Sequence, residues 1–369
     1  MNPVHQIKVD ILVSSDIAYD QRVLKVARTL MDAGYDIRVT GRYKSGSDVP
    51  LPKNMKVKLI RGLPRSGVIF YLLLNVAFFF RGLFSKAKIF IACDLDTLPG
   101  TWLASRIKGT KLVFDAHEHF VESPELIGRW VKKYIWQIAA NWLIPKVDMA
   151  ITVNQELAVL LQKLYKINFH VIRNLPPAKD RSFLSSREKV IWYQGAVNDG
   201  RMLETLIDTL EYIPGFTIQI AGDGDLLSSL KKYAQRKQLN SGVIFHGRLT
   251  YDEMQEKASR CLLGFNLLAD KGDNYRYSLA NKFFDYVQIG LPSINSEFPV
   301  YRRYLKEWKV GILLAPNISA RELANQIEAI TTDTDLYESF VDSCKTAKAE
   351  WTWEREKVKL ITLINSIKP

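Results

Sequence analysis

The chain has 369 residues, 47% hydrophobic and 24% charged, which excludes a disordered or low-complexity protein and suits two domain cores better than one. Its net charge of +12 is uneven: residues 1–180 hold 26 Lys and Arg against 15 Asp and Glu, residues 181–369 hold 25 against 24. A basic first half points either to an anionic partner, such as a membrane surface or a phosphorylated lipid, or to a solubilising surface; nucleic-acid binding would rest on charge alone and is set aside.

The N-terminus shows no signal-peptide pattern and passes directly into an apolar strand, Ile7–Ser15. DQRVLKVARTLMDAGY follows with helical spacing: Val23, Ala27, Leu30 and Met31 share a face, and Gly34 ends it. The strand DIRVTGR completes a strand–helix–strand unit of a parallel sheet. The pattern recurs through MKVKLIRG, an apolar segment at Val68–Phe84, AKIFIACDLD, LPGTWLASRIKG and TKLVFDAHE. A long helix over 124–144, VDMAITVN, QELAVLLQKLY and FHVIRN close this half. Three cysteines (Cys93, Cys261 and Cys344) are far apart, lack metal-ligand spacing and read as buried thiols of a reducing compartment.

The segment Val68–Phe84 has about 13 apolar residues before Arg81, short of the roughly 20 that span a bilayer. Three readings fit it: a core helix, an interfacial helix, or an acceptor-lipid groove. Arg61, Arg65, Arg81, Lys86 and Lys88 around it favour the interface.

Residues 176–188, with two prolines and three serines between them, read as a linker. The alternation then restarts with VIWYQGA, RMLETLIDTLEYI, FTIQIAG, DLLSSLKKYAQRK, VIFHGR, TYDEMQEKASR, CLLGFNLL, LANKFFDYVQIG, LPSINS, VGILL and a helix near Ala320–Thr331. AEWTWEREKVKLITLINSI reads as a terminal helix. The expected fold class is therefore α/β, with two Rossmann-like, doubly wound parallel-sheet domains that bind ligands at the carboxyl ends of their strands. The expected domains are 1–175 and 189–350, with 351–369 as the last helix.

Phosphate-binding candidates lie in the second half. In YQGAVNDGR, Gly195 and Ala196 open a strand-to-helix turn, and Arg201 in the first helical turn offers a fork for a diphosphate. In RYSLANKFFDYVQIGLPSIN, the amides of Ser278, Leu279 and Ala280 suggest a second anion nest, Lys282 adds charge, and Asp285, two turns in, suits ribose hydroxyls. Its bland alternative is a surface carboxylate paired with Lys282. AGDGD is a poor phosphate site, and Asp225 is expected to cap the next helix. In the first half, His117 and Glu118 should emerge at the end of a strand, where a histidine can donate to a sugar hydroxyl or handle a proton. Asp94 and Asp96 invite a metal reading, but neighbouring acidic ligands are lacking and the pair also suits a helix start.

Taken together, DQRVLKVARTLMDAGYDIRV, DAHE, AITVNQELA, VIRN, IAGDGD, VIFHGRLTYDEM and NKFFDYVQIGLPSIN resemble the group 1 glycosyltransferases, sequence family 4, of GT-B fold. The resemblance implies retaining transfer of a sugar from a UDP- or GDP-linked donor, without a metal or other cofactor. It implies a donor site in the C-terminal domain, an acceptor site in the N-terminal one, and a last helix that crosses back to the N-terminal domain. It gives Arg201 the place of a phosphate-binding lysine, Asp285 that of the ribose carboxylate and His117 that of a cleft histidine. Asp20, Arg22 and Glu118, with Arg65 and Arg81, fall to the acceptor and membrane side. Two departures stand out: Ala196 where the family often has Arg, and Tyr277 where it has the first glutamate of a pair. Arg248 is the expected replacement for the missing charge. The expected partners are a nucleotide sugar, a glycan or lipid-linked acceptor and, through the basic first half, an anionic membrane surface, with the chain expected to be cytoplasmic and peripheral on the inner face of the plasma membrane. The open alternatives are a sugar-nucleotide epimerase, which needs more cleft carboxylates, and a non-catalytic scaffold of the same fold. A dinucleotide-dependent oxidoreductase is disfavoured because SSDIAYDQR, not a G-x-G-x-x-G, follows the first strand.

Overall fold

The computed structural model describes residues 6–42, 55–60, 64, 67–123, 126, 128–179, 183–184 and 186–368. Arg61, Arg65 and Pro124 lie outside them, as do four residues of the expected linker, 180–182 and 185. The chain divides into two units, residues 1–174 with 355–369, and residues 175–354.

Among the described residues, the first unit contains seven parallel strands: β1 (Lys8–Asp16), β2 (Asp36–Arg42), β3 (Lys56–Leu59), β4 (Ile89–Cys93), β5 (Lys111–Ala116), β6 (Met149–Thr152) and β7 (Phe169–Val171). Their order is β3-β2-β1-β4-β5-β6-β7. Central strands such as IFIAC are buried along their whole length, as a sheet covered on both faces requires. The helices are α1 (Gln21–Asp32), α2 (Val68–Leu83), α3 (Leu98–Lys108), α4 (Trp130–Leu143) and α5 (Gln155–Tyr165). Helix α4 begins at Trp130, not at 124: Gly128, with φ 73, and Arg129, with φ -111, lie outside the helical region just before it.

The second unit contains β8 (Glu188–Gln194), β9 (Thr217–Ala221), β10 (Val243–Gly247), β11 (Cys261–Asn266), β12 (Ser293–Ser296) and β13 (Gly311–Leu314), in the order β10-β9-β8-β11-β12-β13. Around them lie α6 (Leu203–Asp208), α7 (Leu227–Arg236), α8 (Tyr251–Ser259), α9 (Asp273–Arg276), α10 (Asn281–Gln288), α11 (Pro299–Glu307), α12 (Ala320–Thr332) and α13 (Thr334–Glu350). A core of Ile191, Tyr193, Leu206, Ile218, Phe265 and Ile294 joins sheet to helices, and an aromatic cluster of Phe283, Phe284, Tyr304 and Trp351 anchors α10. Helices α9, α11 and α13 were not read from the sequence.

The expected terminal helix is split: α13 ends at Glu350 and α14 (Trp353–Ser366) starts after a break at Trp351 and Thr352. Glu356, fully buried, takes the Arg173 guanidinium at 2.7 and 3.0 Å and the Arg173 amide at 3.0 Å. Further along, the Tyr35 hydroxyl donates to Asn365 at 2.6 Å. These bonds hold the last fifteen residues as part of the first unit.

Candidate active site

In the second unit the direction of winding reverses between β8 and β11, where open α/β sheets leave a crevice at the carboxyl ends of their strands. The loop after β8 starts with Gly195 and Ala196 and is tied to the loop after β9. The Gly195 amide donates to Ala221 at 2.9 Å and the Val197 amide to Asp223 at 3.0 Å. At Gly222 (φ +146) a Cβ would lie 1.8 Å from the Gly195 carbonyl oxygen, so only glycine lets these loops close together. Asp225 does not cap α7 as expected. Leu226 takes that position, while the Asp225 amide donates to Asn198 Oδ1 at 3.2 Å.

Arg201 lies before helix α6, not in its first turn. Met202 adopts a left-handed φ of 52, which ends any helical run from Arg201, and α6 starts at Leu203 and lasts only six residues. The expected helix-start amides therefore do not accompany this arginine. Arg201 is half-buried, and its buried Nε has no hydrogen-bond partner among the described residues.

Lys282, the second residue of α10, is buried. Its Nζ also has no hydrogen-bond partner among the described residues and sits 3.7 Å from the centre of the Tyr193 ring. A Cβ on Gly195 would come within 3.7 Å of the same nitrogen. Burial, and then the charge of Arg201, hold the ammonium well below the usual lysine range. The same burial pushes the Tyr193 hydroxyl up to about 12, and that hydroxyl donates to the Ala196 carbonyl at 2.6 Å. The loop after β8 thus lies beside two basic side chains that no carboxylate meets at hydrogen-bond range among the described residues.

Asp285 is buried one turn into α10, not two, and makes no ion pair with Lys282. Its carboxylate accepts from Gln194 Nε2 at 2.9 Å and from the Tyr251 hydroxyl at 3.1 Å. The expected nest before α10 is largely spent within the fold. Both the amide and the hydroxyl of Ser278 donate to the Tyr275 carbonyl, and the Ala280 amide donates to the Tyr301 hydroxyl at 3.1 Å. Leu279 is the member of that trio whose amide those bonds leave unassigned. Arg248 is exposed after β10 and pairs with Asp223 at 3.2 Å, so part of its charge is answered locally. Tyr277 is half-buried just after α9.

In the first unit, β4 and β5 bring Cys93 and Asp115 into register, and the residues beyond them form a closed network. Arg22, expected on the acceptor side, is instead buried. Its Nε and Nη2 fork onto Asp115 at 2.7 to 3.2 Å, and Nη1 donates to the Ile172 carbonyl at 2.6 Å. It faces inward because the second position of α1 looks onto the sheet. Asp20 is also used locally: it caps α1 by accepting from the Val23 amide at 3.0 Å, and accepts the Ser15 hydroxyl at 2.6 Å. Arg81 turns back onto the sheet edge, where Nη2 donates to the Leu59 carbonyl at 2.9 Å. Glu118 is half-buried beside His117.

His117 emerges at the end of β5, as its place in the sequence implies. Its amide donates to Asp94 Oδ1 at 2.8 Å and its Nδ1 lies 3.2 Å from Asp94 Oδ2. Its Nε2 lies 3.3 Å from Asp115 Oδ2, an ion-pair distance without hydrogen-bond alignment. Burial pushes the imidazole down, but Asp94 and Asp115 outweigh it and hold His117 well above its usual value, as a cation at neutral pH. Burial raises Asp115 too, yet Arg22 and His117 hold it below the usual carboxylate range. Asp94 has φ 62 and ψ 166, a region nearly confined to glycine, and its bonds to the Asp115 carbonyl and to His117 fix it there. Asp96 is buried behind it and pushed up to about 7, first by burial and then by Asp94. Sequence reasoning missed Asp115, although its spacing of two from His117 at a strand end was a usable signal. It also missed the Gln194 and Tyr251 contacts to Asp285.

Among the described residues, ligand atoms of Cys93, Asp115 and His117 lie within 4.8 Å of one another. Their chemistry suits a metal poorly. The Arg22 guanidinium already occupies Asp115, and burial pushes the Cys93 thiol up to about 12, far from the thiolate a metal needs.

Residues 177–346 match the family model described as Glycosyl transferases group 1. The fold resembles solved structures over nearly its full length. The Anabaena HepE structure in complex with UDP and glucose is 16% identical, with 98% of this chain and 100% of that chain covered and a TM-score of 0.79. Sucrose-phosphate synthase from Thermosynechococcus elongatus is 14% identical over 98% and 99%, with a TM-score of 0.80. WaaG, a glycosyltransferase involved in lipopolysaccharide biosynthesis, is 12% identical over 95% and 98%, with a TM-score of 0.72. No curated protein matches the chain in sequence.

Proposed function

We propose that this chain, a glycosyltransferase carrying the group 1 domain over residues 177–346, moves a sugar from a UDP- or GDP-linked donor to a glycan or lipid-linked acceptor, with retention and without a metal. One observation carries the donor assignment. Lys282 and Arg201 hold buried nitrogens without hydrogen-bond partners among the described residues beside the Gly195 loop, and a dianionic diphosphate is the chemistry that repays their desolvation. The HepE complexes with UDP, glucose and UDP-glucose support a uridine donor as the first choice.

In this reading the two cations stabilise the diphosphate as its bond to the anomeric carbon breaks, the work that a divalent ion does elsewhere. Charge that is fixed in place before reaction needs no reorganisation during it. Asp285, oriented by Gln194 and Tyr251, is the acceptor for ribose hydroxyls. In the first unit the His117 cation is the donor to a substrate hydroxyl through Nε2, which makes no aligned hydrogen bond among the described residues, while Asp94 holds Nδ1. The role of WaaG in lipopolysaccharide biosynthesis supports an acceptor in glycoconjugate assembly, and a cytoplasmic site of action agrees with nucleotide sugars as donors.

The test is a thermal-shift and calorimetry panel of UDP, GDP and ADP in the presence of EDTA. UDP or GDP is expected to bind, and Arg201→Ala to weaken that binding by about tenfold or more. If none of the three nucleotides binds, or if binding appears only when a divalent ion is restored, the donor site is assigned wrongly.

A further inference from the structure

Among its described residues, the first unit presents an exposed apolar surface. Of 23 large hydrophobic side chains exposed among the described residues, fifteen lie between Val68 and Trp142, on three mutually packed helices or at the end of one. In α2, Phe70, Leu74, Phe78 and Gly82 face the core, while Ile69, Leu72, Leu73, Val76 and Phe80 face outward. In α4, the outward residues are Val131, Tyr134, Ile135, Ile138 and Trp142. Both sets follow the same spacing, i, i+3, i+4, i+7 and i+11, one stripe along each helix. Leu103 and Ile107 of α3 add a third stripe. Edge-to-face packing of Tyr71 on Trp136 links α2 to α4, and Trp102 against Trp142 at 4.8 Å links α3 to α4. Trp130 and Phe84 are 77% and 81% exposed. A soluble monomer seldom leaves so many large apolar side chains together in water.

Charge selects the occupant. The 41 residues of α2, α3 and α4 include no Asp or Glu, and Lys86, Lys88, Arg106 and Arg129 are exposed on or beside them. Lys146 places its ammonium 3.4 Å from the centre of the Trp142 ring, the pairing of an aromatic body with a cationic tip that suits the headgroup layer. None of the described helices is long and apolar enough to cross a membrane. At 16 residues, α2 reaches about 24 Å, less than the roughly 30 Å hydrocarbon core.

We propose that the outward face of α2, α3 and α4 docks on an anionic lipid bilayer, lying in the headgroup layer without crossing it. The apolar stripes enter the boundary with the acyl chains, and the surrounding lysines and arginines meet lipid phosphates. This surface belongs to the first unit alone and does not depend on the donor-site reading.

The experiment is co-sedimentation of the full chain with phosphatidylcholine vesicles, with and without phosphatidylglycerol. The wild type is expected to pellet with the anionic vesicles and to be released by high salt. The double variant Trp130→Ser/Ile135→Ser changes only exposed side chains and should lower partitioning about tenfold or more, with an unchanged melting temperature and unchanged UDP affinity. Arg129→Glu should lower binding to anionic vesicles while leaving the weak binding to neutral ones alone. Wild type that stays in the supernatant with both vesicle types overturns the proposal. So does a concentration-dependent dimer that the double variant dissolves, because the face is then a contact between copies. Failure of UDP to bind leaves these arms unchanged and counts only against the donor assignment.

Discussion

The two units handle buried charge in opposite ways. In the first, Arg22, Asp115, His117 and Asp94 form a chain in which each cation faces a carboxylate at 3.3 Å or less. In the second, Arg201 adds to the cost of burying Lys282, and neither has a carboxylate partner among the described residues. A buried network that closes on itself stabilises the protein and holds its members in one geometry. Two like charges set close together stabilise nothing by themselves, and their cost falls when an anion arrives. The contrast distinguishes a positioning network from a binding site without reference to any ligand.

The sharpest way to break the contrast is to remove one carboxylate from the closed network. Asp115→Ala leaves the Arg22 guanidinium buried without its partner and should cost about 3–5 kcal/mol, read by denaturant unfolding. The reverse experiment is Lys282→Met, which removes a cation that the unliganded fold does not need. That variant should be more stable than the parent without ligand, by about 1–2 kcal/mol, and should lose the rise in melting temperature that UDP gives the parent. A parent-like UDP response in Lys282→Met would falsify the role of this residue.

Asp96 sharpens the comparison from within the first unit, because it is a buried acid near, but not in, the closed chain. Its folded value of about 7 lies above an unfolded value of about 3.9, so between those values the folded state binds more protons. Stability should therefore fall as pH rises through that window. Asp96→Asn should flatten the fall and stabilise the protein at pH 8 by on the order of 1–3 kcal/mol, measured as melting temperature against pH. The smallest effect belongs to Arg248→Ala. Its exposed pair with Asp223 should contribute less than about 0.5 kcal/mol to stability, and a large loss of UDP affinity in that variant would give Arg248 a place beside Lys282.

Much of the architecture was legible because alternation of apolar strands with helical stripes survives any detail of packing. The strand ends that carry Gly195, His117 and Asp285's helix were visible for the same reason. The side-chain partnerships were not. Whether Asp285 pairs with Lys282 or with Gln194 depends on a contact 91 positions apart, which periodicity does not encode. Arg201 was drawn into a helix because a left-handed residue at Met202 has no sequence mark that a glycine would have supplied. Arg22 and Asp20 were placed on the acceptor side because a helix pattern shows which residues share a face, not what that face meets. The same limit hid the outward stripe of α4: polar residues interrupt it, whereas the unbroken run in α2 draws the eye. Only the structure shows both facing outward.

The clasp between Arg173 and Glu356 has a consequence for biosynthesis. Because residues 355–369 complete the first unit, the second is in effect an insertion within it along the chain. A ribosome releases residues 175–354 before the final segment is available, so the carboxy-terminal lobe can mature while its amino-terminal counterpart still waits for its closing helix. A chain truncated before Arg355 would therefore carry one finished lobe and one that is still open to proteases and chaperones.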